Sequence, residues 1–227
     1  MNTFNIKLLI LSFGIIFSFQ TTLYSQNKNI EIMKKFDIET FKKNKIGIHY
    51  QFETEEAFVL QGEEEHCYYE QIEYKKNPFG DNIRYYKDSL TPMYAVRKCY
   101  NFGIGVMREY DRVGNVTKET DWDAPFKFSL DDLRKKIMAE YKVDIFIKNI
   151  PYVYVSRSTN PIPLYQITIP AKGYPNGFPG GGKTMNIDGV TGEVIAETMP
   201  DGSNRIIKQP KQEEEKGNKK FWDMFFE

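Results

Sequence analysis

Between residues 47 and 120 apolar and polar side chains alternate in short runs, the period-two pattern of half-buried strands. The runs fall at 47–52, 57–60, 67–74, 83–86, 94–100, 106–110 and 116–120. Breakers stand between several of them: Asn-Pro-Phe-Gly-Asp at 77–81, Thr91-Pro92, and Asn-Phe-Gly at 101–103. This text predicts an antiparallel meander. Gly114 and Asn115 tolerate positive φ and make the link between the last two runs a hairpin turn.

The period changes at 130–141, where Leu130, Leu133, Ile137 and Tyr141 share one helical stripe. Ser129, with Asp132 three residues on, is a variant of the capping box. Asp131 and Asp132 suit the positive end of a helix dipole, and Arg134, Lys135 and Lys136 follow. Strand text resumes at 152–156, 164–169, 184–187 and 193–197, with a tight turn at 188–192. Upstream, residues 27–45 are rich in Lys and Asn. Their one apolar pattern, Ile30, Met33, Phe36 and Phe41, fits a short helix or a loose leader. Residues 208–220 are charged and aperiodic, a solvated linker, and end in Phe221-Trp222-Asp-Met-Phe225-Phe226. That tail is a candidate anchor, either for the body or for a partner.

The first 25 residues carry one charge, Lys7, before a largely apolar run at 8–19. A helix of that run is about 18 Å long at 1.5 Å per residue, short of a bilayer's ~30 Å core. A basic start, a short apolar centre and Ser25 read as a signal peptide, with Gln26 as the new N-terminus. An uncleaved membrane anchor is the competing reading. Removing this segment leaves no membrane span and places the protein in the periplasm or outside the cell. Cys67 and Cys99 would then meet an oxidising compartment, as a disulfide or as two buried thiols.

The whole chain has 31 basic and 31 acidic side chains and no net charge, which argues against a nucleic-acid surface. Two Cys and two His exclude a Cys₄ zinc site.

Glu109-Tyr110-Asp111-Arg-Val-Gly114-Asn115-Val-Thr-Lys-Glu-Thr120 resembles the hairpin unit of YD-repeat proteins and of the related MORN-variant (YwqK-like) proteins. Phe102-Gly-Ile-Gly105 fits the lead-in of the MORN-variant unit. One clear copy is present, where repeat folds use about three. The C-terminal half resembles a PepSY-type domain, one helix followed by an antiparallel sheet. Its closing segment is Asn186-Ile-Asp188-Gly-Val-Thr191-Gly192-Glu193-Val194. The expected architecture is α+β and mostly antiparallel: a signal peptide at 1–25, a β-rich module at 26–120, a PepSY-like module at 126–198, and a charged linker and aromatic tail at 199–227.

Four motifs suggest chemistry. Gly177-Phe-Pro-Gly-Gly-Gly182-Lys183-Thr184 matches the phosphate-loop pattern G-x-x-x-x-G-K-[ST], which works only between a strand and a helix. The text after Thr184 cannot propagate a helix, so a glycine-rich hairpin loop and no nucleotide is expected. Glu63, Glu64, Glu65, His66 and Cys67 include metal-ligand types, but alternate residues of an extended chain face apart. An acidic turn without metal is expected. His49 reads as a partly exposed strand residue. Asp121 and Asp123, either side of Trp122, are expected to bind local backbone N–H groups.

No catalytic residue and no cofactor is therefore expected. PepSY-type domains are associated with restraint of secreted peptidases, and YwqK-like proteins with immunity functions. The resemblances imply an exported, non-enzymatic protein-binding module of inhibitor or immunity type, with Phe221, Trp222, Phe225 and Phe226 as candidate partner contacts. A structural envelope-associated protein and an extracytoplasmic hydrolase are the alternatives.

Overall fold

The computed structural model describes residues 34–148, 150, 153–169, 182–199 and 201–207. The expected signal segment at 1–25, Ile30, Met33, Tyr152, the loop residues 177–181 and the tail from 208 onward lie outside the described residues.

Seven strands form one antiparallel sheet in chain order: β1 (His49–Glu53), β2 (Ala57–Glu63), β3 (Cys67–Tyr74), β4 (Phe79–Tyr86), β5 (Pro92–Cys99), β6 (Phe102–Tyr110) and β7 (Val116–Asp121). A second antiparallel sheet holds β8 (Tyr154–Ser158), β9 (Leu164–Ile169), β10 (Lys183–Asp188), β11 (Val194–Thr198) and β12 (Asn204–Ile206), each beside its neighbour in sequence. Among the described residues two short helices, α1 (Ile38–Asn44) and α2 (Leu130–Tyr141), complete a mostly antiparallel β architecture.

Three expected breakers belong to strands. Phe79, Gly80 and Asp81 open β4, Pro92 opens β5, and Phe102 opens β6. The strand position held by Gly80 takes glycine because any Cβ there would run into the Ile72 carbonyl and stand 2.9 Å from Lys98 Cε. Pro92 takes the first strand position, where a missing N–H is tolerated. The β5–β6 link is only Tyr100 and Asn101, with Tyr100 at φ 51°. A further strand, β12, lies in the stretch expected to be linker. Gly202 at φ 82° closes its turn, and Met199 N donates to Ser203 O at 2.9 Å.

α1 is capped by Asp37, whose carboxylate accepts from Thr40 N at 3.0 Å. It seats Phe41, with Phe36 just ahead of it, on the first sheet; Phe36 stacks on Tyr68 at 4.8 Å between ring centres. α2 has both bonds of the expected capping box: Asp132 N donates to Ser129 Oγ at 3.1 Å, and Ser129 N donates to Asp132 Oδ2 at 3.3 Å. Leu133 and Ile137 are fully buried, and Leu130 and Tyr141 flank them. The stripe meets Val155, Tyr165, Ile167, Met185 and Ile187 of the second sheet.

The two sheets share that core, because Cys99 and Phe102, at the end of the β5–β6 hairpin, belong to it. Arg157 of β8 fastens the joint. Its side chain is 5% exposed, and its guanidinium lies 5.0 Å from the Phe102 ring centre and 4.7 Å from that of Phe126. It donates to Asp123 Oδ1 at 2.6 Å and to the Gly103 carbonyl.

Candidate functional site

The strand register sets the two faces of the first sheet. Pairing of Phe52 with Val59, Gln61 with Glu70, Ile72 with Asp81 and Phe79 with Cys99 puts these residues on one face. That face holds the buried side chains Val59, Tyr68, Ile83, Tyr85 and Ala95. It also holds two buried polar groups. Tyr74 donates to Asp81 Oδ2 at 2.9 Å, and Gln61 Nε2 donates to Glu70 at 2.7 Å. Asp81 Oδ1 and Gln61 Oε1 have no hydrogen-bond partner among the described residues. Burial holds the Asp81 carboxyl above the usual carboxylate range, opposed by the nearby Arg97 guanidinium. Burial and the Asp81 charge push the Tyr74 hydroxyl up to about 12.

This face reaches the sheet edge at β1. Alternation puts Tyr50 and Phe52 in one row on it, and Ile48 stands just before the strand, in the turn that Ile46 and His49 close by pairing their backbones. Ile48 is 56% exposed, Tyr50 and Phe52 are half-buried, and their rings stack at 4.8 Å. Ile48 O accepts from Glu63 N at 3.0 Å and Thr54 N donates to Ala57 O at 2.8 Å, so the even-numbered positions bond to β2. The backbone groups of Gln51 and Glu53 therefore point outward, as ladder alternation requires. Ile46, 88% exposed, extends the apolar surface beyond the strand.

The other described edges are guarded. β7 carries Lys118, Glu119 and Asp121, charges that discourage strand addition. β12 has three residues. β8 is tied to the first sheet through Arg157. β1 has neither Lys nor Pro, and its one charge, Glu53, pairs with Lys75 at 3.0 Å.

The motifs singled out in sequence are distributed differently. Lys183 and Thr184 lie on β10, a strand and not the helix that the phosphate-loop pattern needs there. The Lys183 ammonium pairs with Glu197 and lies 5.3 Å from the Tyr141 ring centre, tying α2 to the second sheet. Glu63 accepts from Lys45 at 3.0 Å and Lys87 at 2.9 Å, and these bonds, led by Lys87, hold its carboxyl low. Glu64 binds Arg84, while Glu65 and His66 are exposed. No group of three metal-ligating side chains occurs among the described residues. His49 is exposed on β1.

Asp121 accepts from Asp123 N at 2.9 Å, the local bond expected. Asp123 instead reaches Gly105 N at 2.9 Å and Arg157. The expected hairpin turn is held by Asp111 Oδ1, which accepts from Val113 N at 3.0 Å and Asn115 N at 2.8 Å.

The disulfide weighed for Cys67 and Cys99 is corrected: both are free and buried. Cys67 lies opposite Tyr86 and Cys99 opposite Phe79, at the two ends of β4. Their separation along β4 alone is about 23 Å at about 3.3 Å per residue, against about 7 Å for the widest disulfide. Burial raises both thiols, so neither is poised as a thiolate. Phe221, Trp222, Phe225 and Phe226 lie outside the described residues. No helix among the described residues is long and apolar enough to cross a membrane.

Comparison with protein-family models, with curated proteins and with solved structures finds no match for this chain.

Proposed function

We propose that this is an exported, non-enzymatic protein that binds an extended segment of another protein along β1. The observation that carries the reading is the apolar row Tyr50 and Phe52, with exposed Ile48 just before it, at an edge whose Gln51 and Glu53 backbone is open beyond the Ile46–His49 bridge. An added strand would bond to the outward backbone of Gln51 and Glu53 and lay its own alternate apolar side chains beside that row. Backbone pairing supplies affinity in this mode and the side-chain row supplies selectivity. Restraint of a peptidase or toxin is the form of binding that the PepSY-like and YwqK-like resemblances suggest, and the tail at 221–226 offers a second contact.

Gln51→Pro tests the edge. Its N–H faces away from β2, so proline removes a donor that the fold does not use. Affinity capture with residues 26–227 from the host's envelope and secreted fractions should yield a partner. Capture should fall at least tenfold for Gln51→Pro and for Ile48→Glu, with the melting temperature within a few degrees of the parent. Full capture by both variants would remove β1 from the interaction. Reproducible hydrolysis of a peptide or glycan by pure protein, with no partner captured, would overturn the binding reading itself.

A further inference from the structure

A half-open cavity of about 300 Å³ lies where the chain beyond α2 crosses the β3–β4 end of the first sheet. Its apolar wall is Phe79, Tyr100, Ile147 and Val153. Its polar lining is one carboxylate and two ammonium groups. Lys98 Nζ stands 3.5 Å from Glu73 Oε1, and Lys148 Nζ stands 3.7 Å from Glu73 Oε2. Both distances are long for a charge-assisted hydrogen bond, which closes to about 2.7–2.9 Å. One carboxylate thus serves two cations loosely, and the lining keeps one surplus positive charge.

The fold places this group. Glu73 pairs with Gly80 and Gly80 with Lys98, so the three lie in one row across β3, β4 and β5. The missing side chain at Gly80 lets the Lys98 stem cross the row; a Cβ would stand 2.9 Å from Lys98 Cε. Lys98 is drawn in until its side chain is 17% exposed. Lys148 arrives from a different part of the chain. Its backbone N–H donates to Lys76 O at 3.1 Å, and its ammonium donates to Tyr74 O at 3.2 Å. Tyr100 completes the wall and is fixed by its hydroxyl, which donates to Ile145 O at 2.8 Å.

We infer that this cavity binds a small monocarboxylate with an apolar body, its head between Lys98 and Lys148 and its body against Phe79, Tyr100 and Val153. A pocket of this volume, apolar with a few converging polar groups, suits a small ligand. The surplus of one positive charge selects a monoanion over a neutral or cationic molecule. Glu73 competes with the ligand for both ammonium groups, which fixes the sign of the key variant.

Decanoate is the probe and decanol its uncharged counterpart, titrated by calorimetry into the purified chain below the micellar range. Decanoate should bind one to one and decanol at least tenfold more weakly. The double variant Lys98→Met, Lys148→Met removes two charge-assisted hydrogen bonds, each worth about tenfold or more, and should lose about a hundredfold. Glu73→Gln should bind decanoate several-fold more tightly, an outcome that mere loosening of the fold would not produce. Equal binding of decanol and decanoate would overturn the inference. So would unchanged or weaker binding by Glu73→Gln, or the absence of decanoate binding at millimolar concentration. The Gln51→Pro variant should bind decanoate like the parent, which separates this site from the β1 edge.

Discussion

Arg157→Ala should destabilise the protein by roughly 3–5 kcal/mol, the range for removing one partner of a buried ion pair. The side chain is 5% exposed and lies beside two aromatic rings while bonding Asp123 and the Gly103 carbonyl. Truncation opens space between Phe102 and Phe126 and leaves Gly103 O without this donor. Asp123 is half-exposed, so water recovers part of its loss and the lower end of the range is expected. Arg157→Lys keeps the charge but not the planar fork that meets a carboxylate and a carbonyl together, and should recover less than half. Urea unfolding of the three proteins checks this. A loss under about 1 kcal/mol for Arg157→Ala would mean that the two sheets are joined by apolar packing alone.

Ile137→Ala should cost roughly 2–5 kcal/mol, the range for cutting a fully buried branched side chain back to alanine. Ile137 and Leu133 are the two wholly buried residues of α2, on the stripe that meets β8, β9 and β10. Met138, next along the helix, is 43% exposed, so Met138→Ala serves as the control and should change stability by less than about 1 kcal/mol. A loss under about 0.5 kcal/mol at Ile137 would show that the helix does not seat on the sheet.

Both sites bear on how far the sequence could be read. α2 was legible to its ends because three independent signals coincide there: the stripe, the Ser129–Asp132 cap and the charge order. β3 and β9 were legible because strand-forming residues run unbroken between turn residues. β4 was read short because Gly80 and Asp81 are turn formers by local preference. Tertiary contacts override that preference, Gly80 through close approach of the Ile72 carbonyl and Asp81 through its Tyr74 partner. β12 is too short to stand out by alternation, and its one local sign is the turn text Pro200-Asp-Gly202 before Arg205-Ile-Ile207.

The site was less legible than the fold. The alternation at 47–52 predicts a strand but not that it stands at an edge, because edge position depends on which strands pair. Arg157 carries no local signal, since its partners lie 34 and 54 residues away. Strand text around Cys67 and Cys99 permits a bridge, and only the register of β4 shows that its length separates them.

The central claim is that β1 is the binding edge, and site-specific photocrosslinking in the native host tests it most directly. A photoreactive residue at position 51, on the outward edge of β1, should give a discrete crosslinked species that contains this chain and one other protein. The same residue at position 118, on the charged edge β7, should give none. Crosslinking from position 118 and not from position 51, or from neither, would contradict the account.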